Sequence, residues 1–180
     1  MPVWGWIVIA IGAVIIAAIV VRQMSATRRT SDLRDRFGPE YDHVAEDLDD
    51  KGEVEEELAR REERHAQFDI KPLPDDSRKR YQESWRDVQA QFVDDPRGAI
   101  GTADKLLKSV MAERGYPIED FDQRAADLSV DHPNVVQHYR EGHRIAEASK
   151  RNGTSTEDLR QALKHYRELF EELVGQPARA

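Results

Sequence analysis

The sequence has no cysteine, which removes disulfides, thiolate nucleophiles and cysteine-ligated zinc, and leaves any metal site to histidines and carboxylates. There is no H-E-x-x-H and no G-x-S-x-G, and the glycines are scattered singly. A zincin helix, a nucleophile elbow, a P-loop and a dinucleotide loop are therefore all missing. None of the six histidines, His43, His65, His132, His138, His143 and His165, has a partner four residues along a helix. No stretch alternates apolar and polar residues with period two, so no strand is expected, and no internal repeat is visible. Asp and Glu number 35 against 27 Lys and Arg, a net charge of −8. That balance argues against a nucleic acid partner, which needs a basic patch.

The most informative absence is of charge between residues 1 and 21. Val3 to Val21 is a run of 19 apolar or small residues, about 28 Å of helix against a hydrocarbon core of about 30 Å. Six Ile and five Val in this run contribute about −3 to −7 kcal/mol to insertion, and Trp4 and Trp6 suit the headgroup layer. A cleaved signal would need a basic leader and a shorter apolar core. Residues 1–24 are therefore expected to form a transmembrane anchor that meets the lipid bilayer through residues 3–21. Ala13 and Ala17 form a small-x-x-x-small pair that would allow close helix approach, though so many Ala and Gly in the run make such a pair unsurprising.

Residues 25–36 read as a basic juxtamembrane segment, the flank from Arg22 to Arg36 carrying a net charge of +3. The positive-inside rule puts the N-terminus outside and the body in the cytoplasm, giving a single-pass protein of the cell membrane. The rest of the chain, residues 37–180, carries −11, so an anionic leaflet attracts the flank and repels the body, and the domain should stand off the surface.

Residues 37–69 read as an acidic helical spacer. Gly38-Pro39 breaks and restarts a helix, and Phe37, Tyr41, Val44, Ala45 and Leu48 form a helical stripe. After a turn at Asp49 to Gly52, Glu53 to Gln67 offers only Val54 and Leu58 as clear apolar residues. That helix is expected to be mostly exposed, as a spacer or packed by a narrow seam. Residues 70–75 form a Pro-rich linker, and residues 76–175 an antiparallel four-helix-type bundle with a short insert helix. Its stripes are Tyr81, Trp85, Val88 and Phe92; Ile100, Ala103, Leu107, Val110 and Met111; Val135, Val136, Tyr139, His143 and Ala146; and Leu159, Leu163, Tyr166, Phe170 and Leu173. Asp95-Pro96 and Gly115 mark helix ends, and Thr154-Ser155-Thr156-Glu157 reads as a capping box. Residues 176–180 should fray. The fold class is all-α.

No residue is singled out as catalytic, cofactor-binding or metal-binding, and no cofactor is expected. His143 falls on an apolar stripe and is read as a hydrogen-bonded bundle residue. The aromatics Tyr81, Trp85, Phe92, Tyr139, Tyr166 and Phe170 are read as core, the other use being a groove for a partner helix. Arg36 to Asp42, Ile70 to Pro74, Gln91 to Pro96, Glu113 to Pro117 and Gln123 to Pro133 together resemble a group of actinobacterial-type bacterial proteins. The resemblance covers residues 31 to 174 and implies a single-pass membrane anchor followed by a helical domain, with no known activity attached. The expected role is a membrane-tethered interaction or scaffold module with a protein partner. The alternative is an enzyme or small-ligand-binding protein with a polar site inside the bundle, for which His143, Tyr139 and a carboxylate would have to converge.

Overall fold

Prolines, glycines and capping side chains cut the chain into helices. The computed structural model describes residues 30–48, 50–152 and 154–175, and among these every regular element is helical. The expected anchor at residues 3–21 and the tail at 176–180 lie outside the described residues. No helix among the described residues is long and apolar enough to cross a membrane.

Residues 30–37 are helical and lead into α1, Pro39–Asp47. The hinge is Gly38 at φ 47°, a left-handed conformation that favours glycine, with Pro39 at the first helical position. Helix α2 is Lys51–His65, so it starts two residues before the expected point. Asp50 accounts for the difference: its carboxylate accepts from Gly52 N at 2.5 Å and caps the helix there. Helix α3 is Asp75–Asp94, and α4 is Pro96–Arg114. One residue joins them, Asp95, which accepts from Gly98 N at 2.9 Å. Gly115, at φ 101°, ends α4: Tyr116 N donates to Met111 O and Gly115 N to Ala112 O, which is the Schellman pairing. Any Cβ at Gly115 would lie 2.4 Å from the Asp69 carbonyl oxygen. Helix α5 is Phe121–Asp131, α6 is Val136–Asn152 and α7 is Thr156–Val174. The capping box of α7 sits one residue later than expected. Ser155 Oγ accepts from Asp158 N at 3.1 Å while Asp158 accepts from Ser155 N at 3.2 Å. Thr154 and Glu157 have the right residue types, but Ser155 is the residue with extended backbone at the helix entry.

Two apolar cores result. The larger joins α3, α4, α6 and α7, with α5 contributing Ala125 and Leu128. Trp85 is 5% exposed and its ring stacks on Phe170 with centroids 4.6 Å apart, in keeping with the core reading of the aromatic stripe. The smaller core gathers Leu33, Phe37, Tyr41, Val44, Val54, Leu58 and, from α5, Val130. Val54 and Leu58 are thus the buried seam of an otherwise polar α2, each contributing about 1.5–3 kcal/mol by leaving water. Ion pairs rim this seam. Glu40 is fully buried and accepts from Arg61 Nη1 at 2.6 Å and from both terminal nitrogens of Arg140 at 2.6 and 2.7 Å. Arg64 reaches Asp127 at 2.9 Å and Glu119 at 2.8 Å. The segment 37–69 is in this way docked on α5 and α6.

Candidate functional site

A small pocket of about 190 Å³ opens between α4, α6 and α7. Helix α4 supplies Arg97, Ile100, Gly101 and Asp104; α6 supplies His143, Ala146, Glu147, Ser149 and Lys150; α7 supplies Tyr166. The spacings follow from helical geometry. Arg97 and Asp104 are seven residues apart on one wall, and His143 and Lys150 seven apart on the other, so each pair shares a helix face about 10 Å apart.

Two glycines shape the cavity. A Cβ at Gly101 would meet nothing within 4 Å, so α4 presents open space there. Gly142 does the opposite: its missing side chain makes room for the Tyr166 ring, whose Cδ1 would lie 2.7 Å from a Cβ. Helices α6 and α7 can therefore approach closely, and Tyr166 is seated against the α6 backbone.

The chemistry lies in two atoms. Tyr166 is fully buried, and its Oη has no hydrogen-bond partner among the described residues. The same holds for Asp104 Oδ1, while Oδ2 of that carboxylate accepts from Lys108 Nζ at 2.6 Å. Buried polar atoms are nearly always paired in folded proteins, and an unpaired one costs about 1–3 kcal/mol. Burial pushes the Tyr166 phenol well above its ordinary pKa, and the charges of Asp104 and Glu147 and the nearby Tyr139 add to the shift, so the hydroxyl keeps its proton. Burial also lowers the pKa of His143, Asp104 and Glu147 opposing it, so the ring is held neutral near pH 7. Glu147 stays ionised because Lys150 donates to it at 2.5 Å.

His143 is not the hydrogen-bonded core residue expected from its stripe. Its ring lies flat on Phe121, centroids 3.7 Å apart and planes at 9°, with one side facing the pocket. Tyr139 does not join it there. The Tyr139 hydroxyl accepts from Arg124 Nε at 2.9 Å, and burial pushes its pKa up to about 12. The convergence of His143, Tyr139 and a carboxylate that the enzyme or ligand alternative required does not form; the pocket is lined instead by His143, Asp104 and Tyr166. No contact among the described residues pairs a lining hydroxyl with His143. Among the described residues no group of three or more His, Asp or Glu is placed to hold a metal ion.

Two wider grooves lie elsewhere. One, of about 690 Å³, runs along α3 and α7 over Trp85 and Phe170; the other, of about 840 Å³, covers the α6–α7 turn. Both are larger, and part of their charge is matched within the groove, Arg167 with Glu171 at 2.5 Å and Arg144 with Glu141 at 2.6 Å. Size favours them, and Trp85 Nε1 is an unmet donor in the first, but the small pocket brings two unmet polar atoms, Tyr166 Oη and Asp104 Oδ1, onto the walls of one cavity. That pair decides, because only unmet polar groups create a demand for a ligand.

Comparison of the chain with protein-family models, with curated proteins and with solved structures finds no match to any of the three.

Proposed function

We propose that this protein is a single-pass, membrane-tethered helical module that holds a small polar ligand in the α4–α6–α7 pocket. The observation that supports it is the pair of buried, unpaired polar atoms, Tyr166 Oη and Asp104 Oδ1, on the walls of one cavity. A ligand offering hydrogen bonds to both offsets a cost that the folded chain otherwise carries. The tether rests on the apolar run of residues 3–21 and its +3 flank, with the N-terminus outside and the body in the cytoplasm. Residues 37–69, docked on α5 and α6, then form the part of the body that follows the basic flank, a layout in keeping with the bacterial group that the motifs resemble.

A scaffold role with a protein partner is the second reading. It is favoured by Trp85, whose indole N–H is buried in the floor of the α3–α7 groove with no acceptor among the described residues.

The full chain, recovered from carbonate-washed membranes and placed in lipid nanodiscs, can be screened by saturation-transfer NMR against a library of small soluble fragments. Fragment binding that disappears in Gly101→Leu, which fills the pocket from an unobstructed Cβ, is the expected result. Recovery of the protein in the soluble fraction would overturn the tether. Binding that survives Gly101→Leu but is lost in Trp85→Phe would transfer the function to the α3–α7 groove.

A further inference from the structure

We infer that the pocket accepts a small zwitterionic amino compound, with its ammonium on Asp104 Oδ1 and Tyr166 Oη and its carboxylate on Arg97. This rests on reading the pocket as a ligand site and goes further by naming the charge pattern of what enters.

The pattern follows from which charges are already matched. Lys108 occupies Asp104 Oδ2 at 2.6 Å, and Lys150 is bound to Glu147 at 2.5 Å. What remains at the inner end is Asp104 Oδ1, an acceptor with no donor. What remains at the mouth is Arg97, an exposed guanidinium with no carboxylate partner among the described residues. The two lie on one face of α4, two turns apart, so the pocket is acidic inside and basic at its rim. Helix α6 repeats the gradient, with Lys150 at the rim end and the half-buried, neutral His143 at the inner end.

An ammonium is the donor that gains most at Asp104, because a hydrogen bond between two charged groups is about twice as strong as a neutral one. Tyr166 Oη can accept a second ammonium proton. Arg97 prefers a carboxylate, which it can grip through two parallel hydrogen bonds. A purely cationic ligand would leave Arg97 unmet, and a purely anionic one would face Asp104 and Glu147. Size sets the upper limit. About 190 Å³ is below the roughly 300–1,000 Å³ of pockets that bury drug-sized ligands, which suits a compound of amino-acid dimensions. Ile100 and Ala146 leave an apolar wall for a short methylene stem.

Four probes of nearly equal size separate the possibilities when titrated into the full chain in nanodiscs: β-alanine, propylamine, propionate and propionamide. β-Alanine should bind about tenfold tighter than each of the others. Asp104→Asn should lower its affinity about tenfold, and Arg97→Gln should lower it several-fold while leaving propylamine unchanged. Equal binding of propionamide and β-alanine, or an unchanged affinity in Asp104→Asn, would overturn the zwitterion. Failure of all four probes, with library fragments still bound in a Gly101-dependent way, would overturn the ligand class and leave the ligand site standing. Failure of probes and library together would remove both. Circular dichroism checks that each variant folds, and if Asp104→Asn does not, the ranking of the four probes on the unaltered protein still decides.

Discussion

In the smaller core Glu40 is fully buried and accepts three arginine hydrogen bonds, whereas in the larger core Tyr166 is buried as deeply and its hydroxyl has no partner among the described residues. The contrast extends beyond these two residues. Around the smaller core Asp127 accepts from Arg64 and Gln123, and Ser129 donates to the Ala126 carbonyl oxygen. In the larger one, Trp85 Nε1, Asp104 Oδ1, Arg114 Nε and Tyr166 Oη all lack partners among the described residues. Buried polarity therefore falls into two classes here. Around the smaller core it is saturated and fixes one helix on another. In the bundle part of it is satisfied, as at Arg124 and Tyr139, and part is left open.

The comparison breaks most visibly at Glu40. Glu40→Ala strands the Arg140 guanidinium and leaves Arg61 with Glu57 and Ser129, and breaking a buried pair costs about 3–5 kcal/mol. Arg61 and Arg140 are 14% and 20% exposed, and water partly rescues them, so about 3 kcal/mol is expected here. The loss should be local. Hydrogen exchange should show α1 and α2 losing protection while α6 and α7 keep theirs. Uniform loss across all helices would mean that the two cores unfold as one unit, and the division drawn above would fail.

A smaller pair of effects, of opposite sign, sharpens the comparison inside the bundle. Tyr139→Phe leaves the buried Arg124 Nε without its acceptor and should cost about 1–3 kcal/mol. Tyr166→Phe removes a hydroxyl with no partner among the described residues and should raise the stability of the ligand-free protein by about 1 kcal/mol. Urea denaturation of both variants reads the signs directly. A loss in Tyr166→Phe equal to that in Tyr139→Phe would mean that the Tyr166 hydroxyl is already paired, and the pocket would lose its main support.

Helix ends were legible in the sequence because they are local. Gly38-Pro39, Asp95-Pro96 and Gly115 each act through backbone groups within a few residues, and the structure uses all three. The register of the α7 cap was ambiguous for the same reason, since Thr154 with Glu157 and Ser155 with Asp158 both have the residue types of a capping box. The stripes told which faces turn inward, Trp85 and Tyr166 included. They could not tell that Tyr166 ends on an unmet hydroxyl, because a tyrosine inside a core and one at a pocket share the same spacing. Glu40 and Asp104 were invisible among 35 acidic residues, their roles being set by Arg140, a hundred positions away, and by the packing of three helices. Gly101 and Gly142 were the available clue, two glycines inside helical patterns where alanine would be the better helix former.

The smallest effect is the pH dependence, and it tests whether the histidines belong to the saturated or the open class. His132 is buried, with Nδ1 3.0 Å from Glu172 Oε1 and Nε2 3.4 Å from Arg114 Nη1. Arg114 can only donate, so Nε2 accepts and the ring proton sits on Nδ1, facing Glu172. A second proton would point at the guanidinium. Burial lowers the pKa of His132, Arg114 adds to the shift, and Glu172 opposes both. Burial likewise lowers His165, whose Nδ1 is 3.0 Å from that of His138, and His143 in the pocket. With folded values below the unfolded value of about 6.5, the unfolded chain binds more protons. Stability is then whole above that pH and declines as the pH falls through it. The urea midpoint should drop between about pH 7.5 and about pH 5.5, and His132→Gln should flatten part of the slope. At lower pH the decline continues as Asp131 protonates: burial alone would raise its pKa, but hydrogen bonds from Tyr116 and His65 outweigh burial and hold it below the usual range. A midpoint that stays constant down to about pH 5.5 would mean that the ring positions accept the extra proton freely, and His132 would then belong with the solvated groups.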